Sequence, residues 1–263
     1  CSDDIIRGIK AVLQYTGIPK CIIGIENNKP EAIKILTELV KDEPRITVCP
    51  LLTKYPQGGE RTLIYATTGR EINSSMLPAD AGCVVDNVDT VVAVYKAVIL
   101  GRPVMNRIVT VTGDAIASPK NFTVLTGTNM EELIEAAGGL KTGAAKVISG
   151  GPMRGFAMFD LHVPCVKTTS AFLCLEKDAV SEAQKQMTAC INCGRCVRVC
   201  PGRVLPARLA TLAERGDMAG FEKLNGMECC ECGCCSYVCP AKRPLTQSIK
   251  SMRKMVLASR RKK

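Results

Sequence analysis

The stretch MECCECGCCSYVCP (residues 227–240) places six cysteines within eleven positions. The earlier stretch CINCGRCVRVCP (190–201) holds only four: Cys190, Cys193, Cys196 and Cys200, followed by Pro201. Its spacing is C-x2-C-x2-C-x3-C-P. Laying that frame on the crowded stretch selects Cys229, Cys232, Cys235 and Cys239, followed by Pro240. Cys230 and Cys234 fall outside the frame, at positions matching Ile191 and Arg195, and are read as spare thiols.

This spacing is the run that holds a [4Fe–4S] cluster in two-cluster ferredoxins. Three cysteines spaced by two residues wind a loop around one cubane. The fourth lies beyond the loop and ligates the other cluster. The expected metal sets are therefore Cys190, Cys193, Cys196 and Cys239 for one cluster, and Cys229, Cys232, Cys235 and Cys200 for the other. Zinc sites use CxxC pairs, and a disulfide framework would not repeat the spacing. The 28 residues between the runs carry Leu209, Leu212 and Ala213, then Gly216, then Met218–Leu224, a pattern that predicts two helices. Two clusters held by shared loops suit an electron relay.

The remaining cysteines, Cys21, Cys49, Cys83, Cys165 and Cys174, sit among apolar neighbours and read as small buried hydrophobes. The chain has 263 residues, of which 46% are hydrophobic and 4% aromatic, with no Trp, so Ile, Val, Leu, Met and Ala must build its cores. No apolar run is long enough to span a bilayer; TVVAVYKAVIL (90–100) is short and carries Lys96. No signal peptide is visible, and a chain opening on Cys1 reads as one whose numbering starts inside a longer protein. The single histidine, His162, leaves little room for His-ligated zinc or Ser/His/Asp machinery and reads as an ordinary strand or loop position.

The net charge is +10, and nine of the positive charges lie between Pro240 and Lys263, where no acid occurs. Such a basic tail is solvated or partner-facing, or it binds anionic lipid or nucleic acid.

Residues 1–103 alternate helix and strand, an α/β layer pattern. SDDIIRGIKAVLQYTG (2–17) is amphipathic, with Ser2 as its cap. KCIIGIE (20–26), RITVCPL (45–51) and AGCVVDN (81–87) read as strands, KPEAIKILTELVK (29–41) and Val88–Leu100 as helices. Residues 104–165 predict a small β-sheet with one helix, capped by a Thr128–Glu131 box. Two loops lie at strand ends, where α/β folds place ligands. KYPQGGERTL (54–63) has glycines that let a backbone approach a flat ligand. VVDNVDT (84–90) puts Asp86, Asn87 and Thr90 at a strand-to-helix junction.

With KYPQGGE, GGPMRG, CGRCVRVCP and ECGCCSYVCPAKRPLTQ together, the chain resembles the C subunits of Rnf complexes, the ion-translocating ferredoxin:NAD oxidoreductases, over essentially its whole length. The resemblance implies a multidomain α/β protein. Residues 1–103 are similar to the second half of the flavin subunit of respiratory NADH:quinone oxidoreductase. Residues 104–165 are similar to a soluble-ligand-binding β-grasp (SLBB-like) domain. Residues 166–245 would form a helical ferredoxin-like domain with two [4Fe–4S] clusters, and 246–263 the basic tail. The FMN contacts implied are Tyr55, Gly58, Gly59 and Glu60, then Asp86, Asn87 and Thr90. The sequence departs from the family's loops at Gly59, Asp86 and Asp89, and the family's glycine-rich FMN/NADH loop would lie before Cys1. The implied activity is oxidoreductase and translocase: NADH passes a hydride to FMN, and single electrons go to the clusters and on to a membrane-anchored iron–sulfur subunit. The implied place is the cytoplasmic face of the bacterial membrane, held peripherally through other Rnf subunits, with no nucleic-acid partner. Two other readings fit parts of the sequence. One is a soluble flavin and iron–sulfur cobalamin reductase of propanediol utilisation, similar in domain order. The other is a nucleic-acid-binding protein with structural clusters, though its tail lacks interleaved aromatics.

Overall fold

The computed structural model describes residues 2–261. The chain divides into two units between Val104 and Met105.

In the first unit, helix α1 (Ser2–Thr16) leads into strand β1 (Cys21–Glu26), helix α2 (Pro30–Leu39) and strand β2 (Ile46–Leu51). The strands pair in parallel, Cys21 opposite Ile46. Helix α1 buries Ile6, Ile9 and Leu13 against Ile23, Leu36, Val40 and Ile46, the stripe that its 3.6-residue period predicts. Helices α3 (Glu60–Thr68) and α4 (Val88–Val98) complete the layer. Gly8 lets α1 and α4 approach closely, since a Cβ there would lie 2.4 Å from the Val91 carbonyl oxygen. Ser2, expected as the cap, is itself the first described residue of the helix. The third strand expected at 81–87 does not form. The sheet has two strands. Gly82, at φ 64, ends a short 3-10 turn, and the following residues run on unladdered, with Val84 exposed. Of the cysteines expected to be buried, Cys165 and Cys174 are; Cys21, Cys49 and Cys83 are only half-buried.

The second unit opens on strands β3 (Asn106–Thr112) and β4 (Lys120–Leu125), helix α5 (Met130–Ala136), then β5 (Lys146–Ser149), β6 (Phe156–Met158) and β7 (Ala171–Leu175). They form one sheet in the order β4-β3-β7-β5-β6. Helix α5 packs Leu133 and Ile134 onto Val109, Val111, Phe172 and Cys174. Two local expectations shift. The cap of α5 is Asn129, whose side chain accepts the Glu131 N–H at 3.0 Å. The sheet also reaches past residue 165, because β7 inserts between β3 and β5 and pairs with both. His162 lies at the surface, its Nδ1 3.1 Å from Glu131.

The rest is helical: α6 (Ala179–Lys185), α7 (Arg195–Arg198), α8 (Pro206–Glu214), α9 (Met218–Lys223), α10 (Cys234–Tyr237) and α11 (Leu245–Arg261). The two helices expected between the cysteine runs are α8 and α9. The basic tail is a correction. Residues 245–261 are one helix whose Leu245, Ile249, Met252 and Val256 recur at helical spacing and are all buried. Ile249, Met252 and Val256 join Leu209, Phe221 and Met227 in a core cluster. Much of its charge is already paired: Arg243 with Glu214, Lys250 and Arg253 with Glu231, and Arg260 with Glu222. Lys262 and Lys263 lie outside the described residues.

Removing everything after Leu245 therefore takes away core rather than an appendage. Ile249→Ala or Met252→Ala should cost about 2–5 kcal/mol of stability. Lys254→Ala, on the exposed face, should stay within about 0.5 kcal/mol. Anaerobic denaturant melts of the cluster-loaded protein check this; equal effects of the two kinds of change would return the segment to a solvated tail.

Candidate functional site

The two cysteine runs fold the same way twice. Asn192 and Glu231 both take positive φ, 55 and 56°. Gly194 and Gly233 follow at 70 and 87°, and Arg203 and Lys242 at 50 and 54°. These are matched positions in the repeat. Left-handed backbone at non-glycine residues is costly, so its recurrence marks a geometry that the loop requires. Short helices α7 and α10 start directly after the glycines. Each ends with the last cysteine of its run turned inward, Cys200 N–H donating to the Val197 carbonyl and Cys239 N–H to that of Ser236, both at 3.2 Å.

The thiols surround two spaces. A cavity of about 530 Å³ is lined by Cys190, Cys193, Cys196 and Cys239. A second, much narrower one is lined by Cys200, Cys229, Cys232 and Cys235, with Cys230 beside them. Each space thus gathers three cysteines of one run and the last of the other. Among the described residues no three His, Cys, Asp or Glu side chains converge as they would on a single ion. A cubane spreads its thiolates around its own volume, whereas zinc draws ligands to about 2.3 Å from one point. Three cysteines of one run with the last of the other, around one space, is the donor set that a [4Fe–4S] cluster takes. Cys234 lines neither cavity.

The two surroundings differ. Cys190 and Cys193 are exposed, while Cys232 and Cys235 are buried. Arg208 and Arg243 line the first cavity. Arg243 is fixed there by two hydrogen bonds to Glu214, 2.6 and 2.7 Å. Val204, Pro206 and Ile249 line the second, together with Thr246. Burial pushes the Cys229 thiol up to about 11. Burial also raises Cys235, while a hydrogen bond to Thr246 pulls it down. Cys230 is raised by its hydrogen bond with Cys232 and then by burial. Ligand thiols must lose their protons to bind iron, so loading releases protons against this burial.

The second loop is held from outside. Gly233 sits against Met153 of the GGPMRG turn; a Cβ there would lie 3.0 Å from Met153 Cε. Glu231, between two cysteines, is gripped by Arg253 and Lys250 of α11, the latter at 3.8 Å. Lys250 also lies over the Phe156 ring, 5.4 Å from its centroid. Glu231 N–H donates to Cys229 Sγ at 3.4 Å. Thr246 Oγ1 lies 3.3 Å from Cys235 Sγ. These supports went unread in the sequence, although aligning the repeats beyond each CP would have exposed Thr246 against Ala207.

In the first unit, Tyr55 and Gly58 lie in the turn after β2, Gly59 caps α3 and Glu60 begins it. Thr62 Oγ1 ties this loop, 2.8 Å from the Pro56 carbonyl oxygen and 2.7 Å from that of Gly59. Its role gave no signal beyond a threonine three residues past a glycine. Gln57 Nε2 is buried with no hydrogen-bond partner among the described residues. A Cβ at Gly58 would meet nothing within 4 Å, so the backbone is open on that side. An unpaired buried donor beside open backbone fits a loop that receives a polar, flat group. Asn87 caps α4, its side chain accepting the Asp89 N–H at 2.9 Å. Asp86 and Thr90 flank it, exposed. The cysteine sets are thus gathered into cavities, and the loop residues are presented at two separate helix starts.

Comparison with known proteins follows the same division. Residues 1–96 match the Nuo51 FMN-binding domain, 108–157 the SLBB domain and 189–242 the 4Fe-4S dicluster domain. The chain is 42% identical over 261 residues to the C subunit of the Na(+)-translocating ferredoxin:NAD(+) oxidoreductase complex of Acetobacterium woodii, covering 99% of this chain and 58% of that protein. It is 40% identical to the proton-translocating counterpart of Clostridium ljungdahlii, covering 96% and 55%. The C subunit of an ion-translocating oxidoreductase complex of Pseudomonas aeruginosa is 42% identical over 206 residues, 78% of this chain and 26% of that protein. The chain thus spans a little over half the length of the first two. A chain of NAD+-reducing [NiFe]-hydrogenase in the H2-reduced state shares the fold, with TM-score 0.61 at 16% identity over 95% of this chain and 52% of that one. No helix among the described residues is long and apolar enough to cross a membrane.

Proposed function

Since the chain belongs to the family of C subunits of ion-translocating ferredoxin:NAD oxidoreductase complexes, we propose that it is the electron-relay subunit of such a complex, working between NAD(H) and partner iron–sulfur subunits. The observation that carries this reading is the pair of cavities, each closed by a cysteine from the opposite run. Cys190, Cys193, Cys196 and Cys239 hold one [4Fe–4S] cluster, and Cys229, Cys232, Cys235 and Cys200 the other. Tyr55, Gly58, Gly59, Glu60, Asp86, Asn87 and Thr90 border FMN, with Gln57 as a further donor to it. Bound FMN and clusters supply the passage from a hydride to single electrons.

The chain's own residues direct that passage. Exposed Cys190 and Cys193 put one cluster site at the surface. Arg208 lines that site, and Arg195, Arg198 and Arg203 are exposed in the same stretch of chain, where no acid occurs between Glu182 and Glu214. Ile191, Val197 and Leu205 give the same rim exposed apolar contact. Such a surface suits a partner presenting carboxylates around its own redox centre. The protein acts at the cytoplasmic face of the bacterial membrane, held peripherally by its partners, among them the membrane-anchored iron–sulfur subunit.

Anaerobic addition of NADH to the full-length, FMN- and cluster-loaded protein should bleach flavin and cluster absorbance together; no bleaching with both present removes the NAD(H) assignment. The ligand sets have their own test. Cys190→Ala and Cys239→Ala should each remove about half the iron, and the double variant no more than that. Cys190→Ala with Cys200→Ala should remove nearly all of it. Iron analysis giving the opposite pattern would show that each run holds its own cluster. Charge reversal at Arg195, Arg198 and Arg203 should slow electron transfer to the partner subunits and flatten its salt dependence, with NADH bleaching retained.

A further inference from the structure

The two cysteine runs are repeats, so each is a control for the other. Carrying the frame past the final prolines pairs Cys196 with Cys235, Val197 with Ser236 and Ala207 with Thr246. Val197 and Ala207 line the first cavity, and Thr246 lines the second. The first copy therefore has two aliphatic side chains where the second has two hydroxyls.

Those hydroxyls are ordered into a chain. Thr246 N–H donates to Ser236 Oγ at 2.9 Å. Ser236 Oγ donates in turn to Thr246 Oγ1 at 2.9 Å. Thr246 Oγ1 lies 3.3 Å from Cys235 Sγ. A cluster-bound cysteine is a thiolate with no proton to give, so the hydrogen between them comes from Thr246. Ser236 takes one of the two acceptor lone pairs of Thr246 Oγ1 and cannot also accept its proton, which leaves the Thr246 O–H to point at sulfur. The site is buried and otherwise apolar, so the bond is little screened.

We propose that Thr246, oriented by Ser236, tunes the cluster of the second cavity by donating a hydrogen bond to Cys235, and raises its reduction potential above what that apolar cavity would otherwise impose. The extra electron of the reduced cluster increases the negative charge on its sulfurs. A donor to sulfur therefore stabilises the reduced state more than the oxidised one. The first cavity has no hydroxyl at the matching place and has Arg208, Arg243 and solvent instead. Two different devices thus act on two sites of one backbone. The proposal rests on the reading that both cavities hold [4Fe–4S] clusters.

The test is an EPR-monitored redox titration of the full-length, cluster-loaded protein and its variants. Thr246→Val keeps the shape and removes the hydroxyl. One of the two cluster signals should become ~3- to 10-fold less reduced at a fixed potential, with the other unmoved. Thr246→Ser should restore it. Ser236→Ala keeps Thr246 but releases its orientation, and should move the same signal in the same direction by less; it also serves if Thr246→Val does not load. Both signals unmoved in every variant that loads, with iron content intact, overturns the role of Thr246 and leaves the cluster reading standing. Wild-type protein with no [4Fe–4S] signals overturns both.

Discussion

Each cluster cavity is closed by a cysteine from the other run, and most of the second unit's helical part follows from that exchange. Cys200 must leave its own loop and reach the second cavity, while Cys239 reaches the first. Two runs that each send their last cysteine to the other's cavity need the same backbone course in both copies. That is why positive φ recurs at Asn192 and Glu231, at Gly194 and Gly233, and at Arg203 and Lys242. Glycine tolerates the second of these turns in both copies at little cost. At the other four positions the chain holds strained residues in place, and Glu231 shows one means of doing so, anchored by Arg253 and Lys250 of a neighbouring helix. The helices α8, α9 and α11 supply the core that keeps the two loops in register.

A symmetric backbone does not give equivalent sites. The first cavity is open, with exposed cysteines and arginines on its rim. The second is narrow, buried and walled by Val204, Pro206 and Ile249. Charge and solvent stabilise a reduced cluster, and apolar burial opposes it. Left to burial alone, the inner site would be the harder of the two to reduce. Hydrogen bonds to its sulfurs from Glu231 N–H and Thr246 counter that. A relay needs neighbouring centres without a large step between them, and the side chains that differ between the repeats are the ones able to level it.

What the sequence disclosed and what it hid divide along chain distance. The cysteine frame is local, four cysteines and a proline, and the two crossed groups that it defines are the ones that line the two cavities. The helices between the runs, and α1, α2 and α4, announce themselves through apolar period. The segment 81–87 looked like a strand because Cys83, Val84 and Val85 are apolar, but composition cannot say whether a neighbouring strand is there to pair with. The strand β7 was missed for the converse reason: its partners, β3 and β5, lie earlier in the chain and are joined to it only in three dimensions. The basic end misled most. Its positive charges are conspicuous in one dimension, whereas Glu214, Glu222 and Glu231, which neutralise several of them, stand well upstream.

That same helix explains why the end of the chain cannot be separated from its redox centres. Leu245 lines the first cavity and Thr246, the next residue, lines the second. The opening turn of α11 therefore borders both sites, and the sequence Leu-Thr gives one an apolar wall and the other a hydroxyl. Pro206 and Ala207 hold the matching places at the start of α8, with the cavities exchanged. The burial of Ile249, Met252 and Val256 fixes α11 along its length, and so fixes where Leu245 and Thr246 stand at its start. Packing far from the sulfurs is thereby converted into the position of a single hydroxyl beside one of them. The packing of this helical part and the placement of Thr246 beside Cys235 thus rest on one apolar face.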